Sequence, residues 1–271
     1  MAIITISRGS FAGGSAVAQA VSRRLGHPCL SREEVLGRAA KDYGIQEQEL
    51  RQTLNDSPAF WEQMPGKRLA YVKCLTAVLL DEAREGNLVY HGHVGHLLLA
   101  GVAHALRVRV IAALEYRVQA AMAQAGFTRE KAIAHIRQVD EERSRWARLL
   151  YGVEWHDPTQ YHVTLNLGQV GVASASEVIV RLAEMGEFKP TAESRRHFED
   201  LRLGAQVWAA LAKEPLTRSA GLQVVAQDGD ILITGNVGSA KATELIPRLA
   251  GQVEGVKRVR SEAGQGADWY W

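Results

Sequence analysis

A short run of apolar residues opens the chain, and a helical pattern follows it. Residues 3–6 read Ile-Ile-Thr-Ile, which is typical of a buried strand. After a stretch of small residues, Val17, Val21 and Leu25 recur at steps of four, so they share one face of a predicted helix. Gly26 is expected to end that helix. The N-terminal segment is therefore predicted to form a strand, a small-residue loop and a helix.

Strands and helices continue to alternate to about residue 186. Capping-box spacings at 31–34 and 174–177 predict two helix starts, and Thr128 is expected to cap another helix. Further strands are predicted at 88–90, 106–112 and 161–165, with 28–30 as an additional candidate. Helices are predicted at 32–43, 46–54, 67–84, 114–124, from 129, and from 174 to about 186. This alternation indicates an α/β fold with a parallel sheet flanked by helices.

The pattern changes after the linker-like residues 189–191, which read Lys-Pro-Thr. A helix is predicted at 199–212, two strands at 222–226 and 231–234, a helix at 239–249 and a last strand at 256–260. Asp228-Gly229 between the first two strands favours a hairpin turn. We therefore predict two domains, 1–189 and 190–271, the second a small α+β unit. The ending Trp269-Tyr270-Trp271 is consistent with an interface or packing anchor and with a frayed tail.

Composition narrows the class of protein. The 271 residues are 46% hydrophobic, which excludes a wholly disordered chain, and the net charge is only +2, which gives no nucleic-acid signature. Two cysteines, Cys29 and Cys74, cannot form a disulfide framework or a four-thiolate zinc site, so a reducing compartment is expected. No targeting segment is evident, and charged residues interrupt the apolar stretch 97–114. We therefore expect a cytoplasmic protein with no nucleic-acid partner.

The loop after the first strand carries the first candidate chemistry. Residues 8–15 read Arg-Gly-Ser-Phe-Ala-Gly-Gly-Ser, and a helix N-terminus at such a loop binds phosphate through free backbone amides. Against the phosphate-loop pattern G-x-x-x-x-G-K-[ST], Gly13 takes the second glycine and Ser15 the magnesium-binding hydroxyl. Arg8 replaces the first glycine and Gly14 the lysine. On this pattern alone, an ordinary β-to-α turn is an equally good interpretation.

Later segments add a family resemblance over about residues 3–183. The Ile-Ser-Arg start followed by Gly13-Gly14 resembles the cytidylate kinase-like family, a branch of the P-loop nucleoside monophosphate kinases in which the loop lysine is also missing. Residues 140–143 are similar to its D-x-x-R lid motif. Residues 151–158 resemble its Y-x-G-x-x-W-x-D-P stretch, one residue tighter, and Tyr161 and Asn166 its Y-D-L-x-x-N strand with His162 in place of the aspartate. The implied fold is a P-loop kinase-like parallel sheet flanked by helices.

The resemblance also implies an activity and a set of residues. It implies transfer of the γ-phosphate of ATP, with Mg²⁺, to CMP, dCMP or a related small acceptor. Arginines would neutralise the moving phosphoryl group, because a planar guanidinium suits phosphate oxygens. The implied catalytic residues are Arg8, Arg117, Asp140 and Arg143. The implied ATP-binding residues are Gly9, Ser10, Ala12, Gly13, Gly14 and Ser15, of which Ser15 would also bind the metal.

Asp140 has more than one interpretation. It would either orient Arg143 or read an amino group of the base, whereas spacing alone favours a plain surface ion pair between Asp140 and Arg143 three residues apart. The acceptor-binding function of an arginine in the family also has two candidate residues here. His93 stands where the family has an acceptor-binding arginine, and a neutral histidine binds phosphate less well. Arg38 is a candidate substitute, although a solvated helix residue is the simpler interpretation.

These departures keep a second function open, a catalytically degenerate nucleotide-binding module. His91, His93 and His96 are not expected to form a metal site, because no Cys, Asp or Glu motif accompanies them. Asp157 before Pro158 is expected to be a turn residue rather than a catalytic base.

Residues 198–262 resemble a BON domain. The matching phrases are Gly229-Asp-Ile-Leu-Ile-Thr-Gly-Asn-Val237 and Gly251-Gln-Val-Glu-Gly-Val-Lys-Arg-Val259. The resemblance implies binding of phospholipid or of a protein partner. Basic residues would face anionic lipid, although dispersed basic residues are also typical of a solvated surface. The basic set is Lys241, Arg248, Lys257, Arg258 and Arg260.

Overall fold

A computed structural model describes residues 2–50, 65–93, 95–218 and 221–264. The chain divides into two compact units. Unit 1 comprises Met1–Glu34 and Glu85–Thr191, and unit 2 comprises Val35–Arg84 and Ala192–Trp271. The pattern of the sequence does not indicate that residues 35–84 pack with the C-terminal part. The predicted ending Trp269-Tyr270-Trp271 and part of the predicted helix 46–54 lie outside the described residues.

Unit 1 is built on a five-stranded sheet, and every adjacent strand pair is parallel. The strands are β1 (Ile3–Arg8), β2 (Cys29–Ser31), β3 (Val89–His91), β4 (Ala105–Ala112) and β5 (Val163–Leu167). Their order is β2-β3-β1-β4-β5, so β1 lies in the middle. The predicted α/β fold is confirmed, including the additional strand near residue 30. β5 begins later than predicted, because Tyr161 donates its backbone N–H back to Pro158 in a 3₁₀ turn.

Helices cover this sheet and extend from it. The described helices of the whole chain are α1 (Gly14–Leu25), α2 (Arg32–Tyr43), α3 (Pro65–Glu82), α4 (Gly95–Leu98), α5 (Leu114–Ala125), α6 (Arg129–Tyr151), α7 (Val172–Glu184), α8 (Ala192–Lys213), α9 (Pro215–Arg218) and α10 (Ala240–Gly251). Val17 and Val21 of α1 and Ile179 of α7 pack in one core with Ile4 and Val108 of the sheet. Helices α5 and α6 pack against each other around a separate small core.

The two predicted capping boxes have different outcomes. At the start of α2, the backbone N–H and the hydroxyl of Ser31 both donate to Glu34 at 2.7 Å, and the backbone N–H of Glu34 donates to the Ser31 hydroxyl at 3.2 Å. The second box is wrong, because α7 already begins at Val172, whose side chain packs on the core. Ser176 lies inside the helix, and its hydroxyl donates to the carbonyl of Ala173 at 2.7 Å.

Unit 2 contains a small mixed sheet with strands β6 (Gly221–Gln227), β7 (Asp230–Asn236) and β8 (Arg258–Ser261). β6 and β7 are antiparallel, and β7 and β8 are parallel. The predicted hairpin is confirmed: Asp228 and Gly229 have φ values of 50° and 90°, as a tight turn of this kind requires. Helix α8 starts at Ala192, earlier than predicted.

Helix α8 connects the parts of unit 2. The indole Nε1 of Trp208 donates to the carbonyl of Leu222 at 2.9 Å, which ties α8 to the small sheet. On α3, the Asp81 carboxylate accepts from Arg202 Nη1 at 2.9 Å and from Gln206 Nε2 at 2.7 Å. Through these contacts, the internal helix α3 packs with the C-terminal α+β part of the chain to form unit 2. Within the described residues, no helix has the length and apolar character needed to cross a bilayer.

We expect Asp81→Ala to destabilise unit 2, because Arg202 and Gln206 lose a shared acceptor. Hydrogen bonds of this kind contribute about 1 kcal/mol, which corresponds to a decrease of about 2–4 °C in Tm. Thermal unfolding followed by circular dichroism measures the change. The control is Asp42→Ala, which removes an exposed carboxylate of α2 in the same unit. Equal Tm values for the two variants would contradict the tie between α3 and α8.

Candidate functional site

The loop between β1 and α1 lies at the carboxyl end of the central strand. The backbone N–H of Ala12 donates to the carbonyl of Gly9 at 3.3 Å, and Gly13 then turns the chain into α1 with φ 80°. This left-handed conformation favours glycine. The first amides of α1 have no partner within the helix and carry the positive end of its dipole. The predicted strand, loop and helix are thus confirmed.

A partly buried arginine fixes the middle of this loop. Arg117 on α5 donates from Nε to the carbonyl of Ser10 at 2.7 Å. Its Nη1 and Nη2 donate to the two carboxylate oxygens of Asp140 on α6, at 2.7 and 2.9 Å. The side chains of Arg117 and Asp140 are only 12% and 21% exposed. The surface pair expected from spacing is therefore wrong: Asp140 pairs with Arg117, 23 residues away, because α5 and α6 pack side by side.

An aromatic cluster anchors the loop from the other side. Phe11 has φ 56°, an uncommon conformation for a residue with a side chain. Its ring lies 6.3 Å from that of Phe127 and 6.0 Å from that of His135, in edge-to-face geometry. Burial of Phe11 against the core of α5 and α6 offsets the cost of this backbone conformation.

Trp155 contacts the end of β1 through a buried hydrogen bond. The indole is 1% exposed, and its Nε1 donates to the Ser7 hydroxyl at 2.9 Å. Tyr161 donates to the same hydroxyl at 3.4 Å, and the guanidinium of Arg109 lies 4.8 Å from the Trp155 ring centre. Trp155 of the motif 151–158 and Tyr161 of the following strand motif thus stabilise the strand that leads into the loop.

A cavity of about 520 Å³ opens above the loop. It is lined by most of the predicted loop residues and by Arg143, a predicted residue of α6. Further residues of α1, α5 and α6 that were not predicted complete the lining. Its lining residues are Arg8, Ser10, Phe11, Ala12, Gly13, Gly14, Ser15, Ala16, Gln19, Gln124, His135, Val139 and Arg143. Of the predicted site, Gly9, Arg117 and Asp140 lie beside this lining rather than in it.

The cavity carries positive charge that described acidic residues do not neutralise. Arg143 Nη1 donates to the carbonyl of Arg8 at 2.8 Å. Burial, with the nearby charges of Arg8 and Arg32, lowers the pKa of Arg143 to about 10, so it stays charged at neutral pH. The Arg8 Nε atom is buried, and no described residue accepts a hydrogen bond from it. Within residues 2–50, 65–93, 95–218 and 221–264, neither Arg8 nor Arg143 forms an ion pair. An anion would neutralise both.

Three other residues singled out in the sequence make contacts of their own. His93 is 5% exposed, and its ring packs edge-to-face on Trp155 with centres 5.3 Å apart. Burial and the charge of Arg143 lower the pKa of His93 well below its usual range, so the ring is neutral at pH 7. Asp157 accepts from the backbone N–H of Thr159 at 2.9 Å, as expected of a turn residue. Arg38 belongs to unit 2, where it forms an ion pair with Glu82.

Some lining residues were missed by the sequence reasoning. His135, Val139 and Arg143 follow each other at steps of four on α6, and all three line the cavity. Counting back from Arg143 by helical turns would have found the first two. Gln19 lies one turn after Ser15 on α1 and was open to the same argument. Gln124 on α5 has no comparable signal in the sequence.

The donor set also bears on the metal that the fold implies. Among the described residues, no group of three or more His, Cys, Asp and Glu side chains is placed to hold an ion. A Mg²⁺ site of one hydroxyl, substrate phosphates and water needs no such group. Ser15, in the first turn of α1 at the cavity, fits that kind of site.

Comparison with known proteins identifies the family of this chain. The model of the cytidylate kinase-like family matches residues 3–169, and that of the BON domain matches residues 199–263. A cytidylate kinase of Ignicoccus hospitalis is 26% identical over 184 residues, covering 67% of this chain and 99% of that protein.

One solved structure shares the fold of the kinase-like part. A protein from Eubacterium ventriosum described as uncharacterized superposes with a TM-score of 0.53 at 20% identity, covering 68% of this chain and 98% of that one. A Thermus thermophilus protein gives a TM-score of 0.42 at 24% identity, covering 68% and 97% of the two chains. The five-stranded parallel sheet flanked by helices is the architecture predicted from the sequence. With the family model matching well over half of its length, the chain belongs to the cytidylate kinase-like family, and its C-terminal part carries a BON domain.

Proposed function

We propose that unit 1 binds ATP at the cavity and transfers its γ-phosphate to CMP, dCMP or a related small acceptor. The observation that carries the proposal is the pair Arg8 and Arg143, charged and without a described acidic partner, beside the free amides of α1. Phosphoryl transfer depends on positioning and charge neutralisation, which is what these groups supply. Membership of the family supports a nucleotide kinase in general, whereas the acceptor is our proposal.

The residues divide into two roles. The amides of Gly13, Gly14 and Ser15 would hold phosphate oxygens, with Arg8 and Arg143 as the cations. Arg117 and Asp140 act as positioning residues, because they bind each other and Arg117 also donates to the loop carbonyl of Ser10, while neither lines the cavity.

The remaining predicted residues contribute to the same proposal in smaller ways. A Mg²⁺ ion held by the Ser15 hydroxyl and phosphate oxygens would supply further charge neutralisation. Gly9, Ser10 and Ala12 would shape the loop around the phosphates. His93 and Arg38 stay predictions as acceptor-binding residues. The cytoplasm likewise stays the expected compartment.

The BON domain is a binding domain, and we propose that it serves a protein partner rather than anionic lipid. Two of its five basic residues are already paired with carboxylates, and a third donates to a backbone carbonyl. Arg258 donates to the Asp230 carboxylate, Arg260 forms an ion pair with Glu262, and Lys257 Nζ donates to the carbonyl of Asp228 at 2.9 Å. Engaged cations contribute less to attraction by an anionic surface.

Arg143→Ala is expected to weaken ATP binding by roughly 10- to 100-fold, because a charged hydrogen bond to phosphate is lost. The Tm of the free protein should change little, since removal of Arg143 also relieves its repulsion with Arg8 and Arg32. Isothermal titration calorimetry and thermal unfolding measure the two effects. The matched control is Arg145→Ala on the same helix, which removes an exposed pair with Glu141. ATP affinities of the two variants within twofold of each other would contradict the proposed site.

A coupled assay with CMP, dCMP, UMP, AMP and GMP is expected to show turnover with at least one pyrimidine acceptor. Ser15→Ala should lower kcat by roughly 10-fold or more, because a metal-binding hydroxyl is removed. ATP binding without turnover on any acceptor would instead support the second candidate, a degenerate nucleotide-binding module. The observation that favours it is the burial of His93 in the place of an acceptor-binding arginine.

We expect little co-sedimentation of the full chain with phosphatidylserine vesicles at physiological salt, because Arg258 and Arg260 of the basic set are paired with carboxylates. Phosphatidylcholine vesicles are the control for nonspecific adsorption. The expectation would be contradicted by strong sedimentation of the natural chain with the anionic vesicles and its loss in the double variant Lys257→Glu/Arg258→Glu. That result would establish lipid binding.

A further inference from the structure

Arg8 and Gly14 occupy exchanged places relative to the phosphate-loop pattern. In G-x-x-x-x-G-K-[ST], the first position is glycine and the seventh is the phosphate-binding lysine. Here the first position is Arg8 and the seventh is Gly14, while Gly13 and Ser15 keep the usual types. The chain therefore has one long cation and one glycine at these two positions, as the pattern does, but in the opposite order.

The structure gives a steric reason for this exchange. A Cβ atom added at Gly14 would lie 2.6 Å from Arg8 Cβ, 2.9 Å from Cδ and 3.2 Å from Cγ. Contacts under 3.0 Å do not occur in folded proteins, and the nearest atom, Cβ, is fixed to the strand and cannot swing away. The aliphatic stem of Arg8 thus crosses over the Cα of Gly14, in the space where a lysine stem would begin.

Gly14 is not required by its backbone conformation. It is the first residue of α1, whereas the left-handed conformation falls on its neighbour Gly13. A side chain at position 14 is excluded by the crossing Arg8 stem alone. The two residues are therefore sterically coupled, and a cation fits at one of the two positions but not at both.

The charged end of Arg8 remains available. Arg8 lines the cavity together with Gly14 and Ser15, and its buried Nε has no acceptor among the described residues. Its carbonyl accepts from Arg143, so the main chain behind the side chain is held in place. A fixed, planar guanidinium in this position suits two phosphate oxygens at once.

We propose that Arg8 replaces the missing loop lysine, carrying the phosphate-binding cation on the strand instead of the helix, and that Gly14 is glycine to let it cross. This inference rests on the proposed function, since its ligand is the triphosphate of a nucleotide. It assigns to one residue the role that the sequence pattern leaves empty.

The test is a reciprocal exchange. Arg8→Gly combined with Gly14→Lys gives residues 8–15 the sequence Gly-Gly-Ser-Phe-Ala-Gly-Lys-Ser, which is the full pattern. Four proteins are compared: the natural chain, the two single variants and the double variant. Affinity for Mg·ATP is measured by calorimetry, and Tm by thermal unfolding.

The expected results are strongly non-additive. Arg8→Gly should bind Mg·ATP at least 10-fold more weakly than the natural chain. Gly14→Lys should lower Tm, because its stem meets that of Arg8. The double variant should recover an affinity within about threefold of the natural chain and a Tm above that of Gly14→Lys.

Arg8→Met provides a measurement that does not depend on the fold of the glycine variants. It keeps an unbranched stem over Gly14 and removes the charge, so Tm should be retained while affinity falls at least 10-fold. If the natural chain binds Mg·ATP and Arg8→Met binds it equally well, or the double variant binds no better than Arg8→Gly, the inference is wrong, and ATP binding would depend on Arg143 and the loop amides without Arg8. If the natural chain does not bind Mg·ATP, the proposed function fails and the inference with it.

Discussion

Two positively charged side chains are held close together beside the loop, and the rest of unit 1 depends on this constraint. Arg8 and Arg143 lie on different elements, one on the central strand and one on a long helix, and a hydrogen bond of 2.8 Å joins the guanidinium of one to the carbonyl of the other. Mutual repulsion and burial both disfavour this arrangement in the free protein. The surrounding contacts must therefore supply the stability that keeps the two cations in place.

Three contacts attach the loop and its approach to the rest of the unit. Trp155 binds Ser7 before the loop, Arg117 binds Ser10 within it, and Phe11 packs on the helix pair beside it. None of these anchors occupies the backbone amides at the start of α1. The loop is thus held in its binding conformation by groups that are not themselves ligands, and little reorganisation is needed when an anion enters.

Local features of the fold were predictable from the sequence, and long-range pairings were not. The order of strand, loop and helix follows from short apolar runs and from Gly13 and Gly26, whose effects are confined to neighbouring residues. The partner of Asp140 depends on how two helices pack, and the crossing of Arg8 over Gly14 depends on side-chain direction at a strand end. The association of α3 with α8 joins segments far apart in the chain. The periodicity of apolar residues along a sequence does not show which distant segments pack together.

The packing of α3 on α8 has an evolutionary consequence. A gene that ended after the linker at Thr191 would encode α3 without the helix that it contacts, and the surface uncovered would include the carboxylate of Asp81, which here binds Arg202 and Gln206. Loss of the C-terminal module in a descendant would therefore require compensating substitutions on α3. Positions on these two helices should change together among related chains that keep the module, whereas α3 would vary freely in those that have lost it.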